Sequence, residues 1–208
     1  MHIEILVEEP SAAEMLQVLA PELLGPDVSY EIRVFQGKPD LLRQLPNRLR
    51  SYPDWLPHTY GPNWCVVVLV DEDREDCRAL KQKLETLAID AGLTTRSQVR
   101  AGVPGPYRVV NRIAIEEIEA WFFGDVDALR AAYPRVTATL GAKAGYRDPD
   151  AIGGGTAEAL ERELRPHYPA GMPKVEVART IAPHMVPDRN RSRSFQVFRD
   201  ALRDLVPP

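Results

Sequence analysis

The chain has 208 residues, of which 44% are hydrophobic and 27% charged, which suits one well-buried globular core and excludes wholesale disorder. Its formal net charge of -4 excludes a protein that grips nucleic acid with its whole surface, because phosphate neutralisation normally demands a basic one. A nucleic-acid role would need a local basic patch, bridging cations or a partner.

In chain order, His2–Val7 reads as an N-terminal strand. Ser11 and Glu14 have capping-box spacing for a helix whose inner face carries Met15, Val18, Leu19 and Leu23. Tyr30–Phe35 alternates as a second strand, and Asp40–Tyr52 is helical by periodicity, with Pro46 expected to bend or restart it. The run Cys65–Val70 is continuously apolar, the mark of a central parallel strand buried on both faces, and it stops at Asp71-Glu72-Asp73. A helix follows over Arg74–Ala91, with Leu80, Leu84 and Leu87 inward and Gly92 as its stop. Val109–Ile115 is the last strand and leads into a helix over Glu116–Phe123, whose Trp121, Phe122 and Phe123 read as core.

Strands alternating with helices imply an α/β fold with a mostly parallel sheet flanked by helices. From Asp125 onward only helical patterns recur, at Asp127–Tyr133, Thr156–Arg165, Lys174–Ile181 and Ser194–Leu205, punctuated by many of the 19 prolines. The expected organisation is an α/β core over residues 1–124 and a C-terminal helical extension over 125–208 packed on the same domain. Tyr146–Gly155 is the hinge should the second part stand alone. Cys65 and Cys77 form no CxxC pair and read as buried thiols. The longest apolar run is too short to span a bilayer and no basic-then-apolar leader opens the sequence, so the expected compartment is cytoplasmic, with no membrane.

Open α/β sheets bind ligands at the carboxyl ends of their strands. Two strands end in acids, at Glu8-Glu9 and at Asp71-Glu72-Asp73, so adjacent strands would crowd Glu8, Asp71 and Asp73 at one rim. Hard oxygen ligands at that density suit Mg²⁺ or Mn²⁺. Glu116 and Glu119, one helical step apart, are candidates for a second metal position. Lys174 opens a helix and could meet a phosphate, and Arg189, Arg191 and Arg193 are the candidate nucleic-acid contacts. Each also has a plainer reading: Asp71 or Asp73 as helix caps, Glu116 and Glu119 as solvated residues or partners of Arg112, and the arginines as surface charge at a helix entry that Ser194 could cap.

A strand ending in Val7-Glu8, then two helices separated by a strand, then an apolar strand ending in Asp-x-Asp resembles the TOPRIM domain of topoisomerases, primases and the overcoming-lysogenization-defect nucleases. The segments Phe35-Gln-Gly-Lys38, Val70-Asp-Glu-Asp-Arg-Glu-Asp-Cys77, Arg112-Ile-Ala-Ile-Glu-Glu-Ile-Glu-Ala-Trp-Phe-Phe123, Arg147-Asp-Pro-Asp150 and Arg191-Ser-Arg-Ser-Phe-Gln-Val-Phe198 further resemble a bacterial TOPRIM-like family of unknown function, often encoded beside an ATPase in phage-defence loci. The resemblance implies that Glu8 acts as general acid/base or faces the metal, while Asp71 and Asp73 hold it. One departure is that Glu9 and Pro10 stand where TOPRIM proteins have glycine after the glutamate. The expected function is a metal-dependent phosphodiester hydrolase acting on DNA or RNA, a nuclease-like component of a defence system. The alternative is a non-catalytic metal- or nucleotide-binding partner subunit of an ATPase. A third reading makes Asp71 a phosphoryl-accepting nucleophile.

Overall fold

The computed structural model describes residues 1–206. Four strands, β1 (His2–Val7), β2 (Ser29–Val34), β3 (Trp64–Asp71) and β4 (Val109–Ala114), form one parallel sheet in the order β2-β1-β3-β4. The helices before the last strand are α1 (Pro10–Leu24), α2 (Lys38–Tyr60), α3 (Cys77–Asp90) and the short α4 (Arg96–Arg100). After it come α5 (Glu119–Gly124), α6 (Val126–Ala132), α7 (Thr156–Leu164), α8 (Lys174–Ile181) and α9 (Arg193–Arg203).

The chain steps from β1 to β2 in one direction and then returns past β1 to β3 and β4. With right-handed crossovers, that reversal puts α1 on one face and α2 and α3 on the other. The two apolar clusters follow this division. Ile3, Ile5 and Val7 of β1 and Cys65, Val67 and Leu69 of β3 pack with α1 and with apolar residues of α5 to α9. Leu6 and the alternate residues Val66, Val68 and Val70 pack with Leu41, Leu45 and Leu49 of α2 and Leu80 and Leu84 of α3. The first cluster therefore runs continuously from strand residues to Leu205, joining the sheet to the C-terminal helices. Among the described residues, no helix is long and apolar enough to cross a membrane.

Several local expectations change. Pro10 occupies the first turn of α1, so the N-cap moves to Glu9 and Ser11 lies buried inside the helix, and the capping box does not form. Helix α2 does not stop at Pro46 but continues through Pro53 and Pro57 to Tyr60. Each internal proline costs about 3 kcal/mol. The fully buried stripe of Leu41, Leu45, Leu49, Tyr52 and Leu56 offsets this at about 1.5–3 kcal/mol per side chain. Helix α3 begins only at Cys77, capped by Asp76, whose carboxylate accepts the Ala79 N–H at 2.7 Å. Asp71 and Asp73 are thus not its caps. Helix α9 is capped by Ser192, not by Ser194, whose hydroxyl accepts the indole N–H of Trp121 at 2.8 Å. Between α6 and α7 the chain runs through short 3-10 turns at Leu140–Ala142, Ala144–Tyr146 and Pro149–Ala151.

Candidate active site

The direction of chain travel reverses between β1 and β3, and at such a switch point the loops leave in opposite directions and open a crevice at the carboxyl ends of the strands. Val7 is in register with Leu69, so Glu8 emerges beside the end of β3, and its Oε1 accepts the backbone N–H of Asp71. Glu8 and Asp71 are 6% and 5% exposed. Gly37, with φ of 84°, lets the chain after β2 turn back so that its N–H reaches the Glu8 carbonyl at 2.9 Å. That turn delivers Lys38 to the rim. Its ammonium lies 2.6 Å from Asp73 Oδ2 and 3.1 Å from Glu75 Oε1, and donates to the Glu72 carbonyl at 3.2 Å.

The other side of the rim comes from the loop after β4. Asp73 and Glu116 are the two non-glycine residues with positive φ among the described residues, at 54° and 59°. They brace one another: the Asp73 N–H donates to the Glu116 carbonyl at 2.8 Å, and the Glu116 N–H to Glu72 Oε2 at 3.1 Å. Strained backbone held by its neighbours is a property of functional loops. Glu116 therefore precedes α5 rather than sharing a helical face with Glu119, because its left-handed conformation cannot sit in an α-helix. It lines a cleft of about 410 Å³ with Asp73, Arg74, Glu117, Gly154, Gly155 and Glu158. Glu119 opens α5, is 1% exposed, and has one oxygen, Oε2, that finds no hydrogen-bond partner among the described residues.

Lys174, at the start of α8, reaches this group from the helical layer. Its ammonium stands 3.2 Å from Glu119 Oε1, 3.4 Å from Glu117 Oε1 and 3.9 Å from Glu9 Oε2. Glu117 in turn accepts the Ala157 N–H at 2.9 Å, which pins the start of α7 to the rim. The two lysines thus arrive from helices on opposite faces of the sheet.

The electrostatics follow from burial. Desolvation pushes the Glu8 carboxyl up to about 7, against the lowering effects of the Asp71 N–H and the Lys38 charge. Asp71 is held well above the usual carboxylate range by burial first and then by Glu8, Glu119, Glu9 and Asp73. Glu119 is also raised, burial outweighing Lys174. Burial pulls both lysines down, yet Asp73 and Glu75 leave Lys38 above its ordinary value, and Glu119, Glu117 and Glu9 do the same for Lys174.

In kind, the donors fit a hard divalent cation: buried carboxylate oxygens, one without a partner, repelling each other around Asp71. As the side chains stand, no group of three His, Cys, Asp or Glu among the described residues is close enough to hold an ion. The residues that would hold one are Asp71, Glu8 and Glu119, with Asp73 released from Lys38.

Among the described residues, the expected basic contacts do not join this rim through any ion pair. Arg189 is bound in a fork to the buried Asp125, at 2.8 and 3.0 Å, Arg191 donates to the Gly141 carbonyl at 3.5 Å, and Arg193 is exposed beside Gln196. The segment that carries them fastens α9 to α5, with Asn190 donating to the Trp121 carbonyl at 2.7 Å and Asp150 accepting from Ser192 and Ser194. Arg112 pairs with neither Glu116 nor Glu119; its guanidinium donates to the Asn111 carbonyl. Lys38, Glu117 and Glu9 are rim residues to which the sequence reading gave no role. Only the glycine–lysine step after β2 offered a signal, for Lys38.

No curated protein matches the chain. Among solved structures, it is similar to the C-terminal region of the OLD protein of Xanthomonas campestris pv. campestris, at 18% identity over 97% of this chain and 94% of that one, with a TM-score of 0.46. It is likewise similar to the C-terminal region of the Burkholderia pseudomallei OLD protein, at 17% identity over 96% and 98%, with a TM-score of 0.46. The model of the family described as a domain of unknown function, DUF4276, matches residues 7–203, and the chain belongs to that family.

Proposed function

We propose that this chain is a metal-dependent phosphodiester hydrolase acting on nucleic acid, a TOPRIM-type nuclease with Mg²⁺ or Mn²⁺ at the acidic rim. The observation that carries the reading is the set of buried, mutually repelling carboxylates, Glu8, Asp71 and Glu119, at the sheet's switch point, flanked by two lysines. A bound cation would neutralise charge growing on the phosphate and activate a water. Where Glu8 faces the attacking water instead of the cation, its buried carboxyl, raised to about 7 with no cation bound, would take or give the proton. Its Oε1 accepts the Asp71 N–H, so Oε2 would be the atom that carries the proton. Lys174 and Lys38 would stabilise negative charge on the substrate from either side of the rim. A role in phage defence beside an ATPase, in the cytoplasm, belongs to this proposal.

The test is calorimetric titration of Mn²⁺ and Mg²⁺ into the wild type and the Asp71→Asn/Asp73→Asn variant, followed by cleavage assays on DNA and RNA. Binding and cleavage that both vanish in the variant support the reading, and unchanged cleavage refutes it. One observation favours the second reading, a non-catalytic partner subunit: Lys38 and Lys174 already neutralise Asp73 and Glu119. Co-purification with an ATPase, with no cleavage by the assembled complex, would establish it.

A further inference from the structure

We infer that the edge of β4 carries a second, separate site for a phosphate group, lined by Arg96 and Arg100 and supported by the unpaired charge of the nearby Arg112. The inference does not depend on the acidic rim.

Thr95 pairs in parallel with Val109, which lays the short helix α4 alongside β4. Arg112 leaves β4 on the same edge. It is 9% exposed, its one protein contact from NH1 is the Asn111 carbonyl at 2.7 Å, and its Nε has no partner. Among the described residues it forms no ion pair. Its neighbours are cationic as well. Burial, then the charges of Arg96 and Arg100, bring its guanidinium down to about 10, and Arg112 and Arg96 help to lower Lys81.

The local anions are already committed. Glu85 is held by the Lys81 ammonium at 2.6 Å and by the Asn111 amide at 3.0 Å. Asp204, at the end of α9, serves two guanidiniums at once, Arg96 and, at 3.2 Å, Arg100. Four cations therefore face two carboxylates, in a chain whose net charge is -4. A buried guanidinium without a counter-anion is costly, and an arriving anion removes that cost.

The space for one exists. Arg96, Arg100, Tyr107, Arg203 and Asp204 line a cleft of about 440 Å³ at this edge, with Arg203 committed to Asp188 and Arg112 outside the lining. Planar guanidinium forks match the oxygens of a phosphate two at a time, which makes a phosphate ester or anhydride the fitting class of ligand. The shared chemistry has two sources: the backbone of a nucleic acid, or a free phosphate compound.

The experiment uses the full chain in EDTA, which keeps divalent metal off the rim. Inorganic pyrophosphate and a single-stranded oligonucleotide of about 12 nucleotides are titrated in turn. Arg100→Gln removes an exposed side chain and should weaken binding about tenfold with the fold intact. Arg112→Gln should weaken binding while melting at or above the wild-type temperature, because it removes an uncompensated buried charge. Oligonucleotide binding whose log-salt slope falls by about one in Arg100→Gln identifies the nucleic-acid backbone as the source. Pyrophosphate binding without oligonucleotide binding identifies a free phosphate ligand. Binding of neither probe, or binding that Arg100→Gln and Arg112→Gln leave unchanged, overturns the inference.

Discussion

Replacing Glu8 by glutamine should stabilise the metal-free protein, by an amount that depends on pH. The Glu8 carboxyl rises from 4.5 to about 7 because burial disfavours its charged form. For an acid raised in this way, the folded state retains a proton that the unfolded state has already lost. Below pH 4.5 both states are protonated and the group contributes no difference. Between 4.5 and 7 the unfolded state binds fewer protons, so stability falls as pH rises. Above 7 the penalty is complete, at about 3 kcal/mol. Glutamine keeps an oxygen that can accept the Asp71 N–H and carries no charge to desolvate. In EDTA at pH 8, Glu8→Gln should therefore be about 2–3 kcal/mol more stable than the wild type, or about 5–10 °C in Tm for a chain of this size. At pH 4.5 the two should lie within about 0.5 kcal/mol of each other. Urea denaturation at intervals from pH 4.5 to pH 9 reads the difference directly. A gap that is absent at pH 8, or of the same size at both ends of the range, would refute the claim that buried charge at Glu8 destabilises the rim.

Lys174→Met leaves Glu119 buried beside no cation and should cost about 1–3 kcal/mol at pH 8, discounted for the lysine's partial exposure. Adding Glu119→Gln should restore most of that loss, and a double variant no more stable than the single one would disprove the pairing. Asp76→Ala should lose about 1 kcal/mol as the cap of α3, whereas Asp73→Ala should lose less in denaturant and more in Mn²⁺ affinity; the reverse order would make Asp73 the cap. Gly124→Ala should destabilise by about 2–3 kcal/mol, since its methyl would overlap the Asn190 amide and stand 2.9 Å from the Ser192 nitrogen. Wild-type stability in that variant would contradict the close junction of α5 with α9.

Where burial alone dictates the answer, the sequence is legible. The unbroken apolar run ahead of Asp71 needs two covered faces, which forces β3 to the middle of a parallel sheet and its acidic end to the rim. Glu8 follows from the same logic on β1. Contacts between residues far apart in sequence are different, because no local pattern encodes them. Lys38 meets Asp73 only after the glycine turn is made, and Lys174 meets Glu119 only once α8 has docked. Short motifs also misled where a neighbour changed the geometry. Pro10 displaces the cap expected at Ser11, and the left-handed backbone at Glu116 removes it from the helix that its spacing suggested. Arg189 looked free because its partner, Asp125, lies 64 residues upstream, inside the core.

The supply of the two lysines from opposite layers gives the rim a history during synthesis. Glu8, Lys38, Asp71 and Glu119 leave the ribosome in that order, and Lys174 follows about 55 residues later. At about 5–20 residues per second, the nascent chain spends about 3–11 s with its acidic groups made and one of their two counter-charges missing. Ions in the surrounding solution are the neutralising charge at hand during that interval, so divalent salt should speed the first compaction of the emerging chain more than it affects the finished protein.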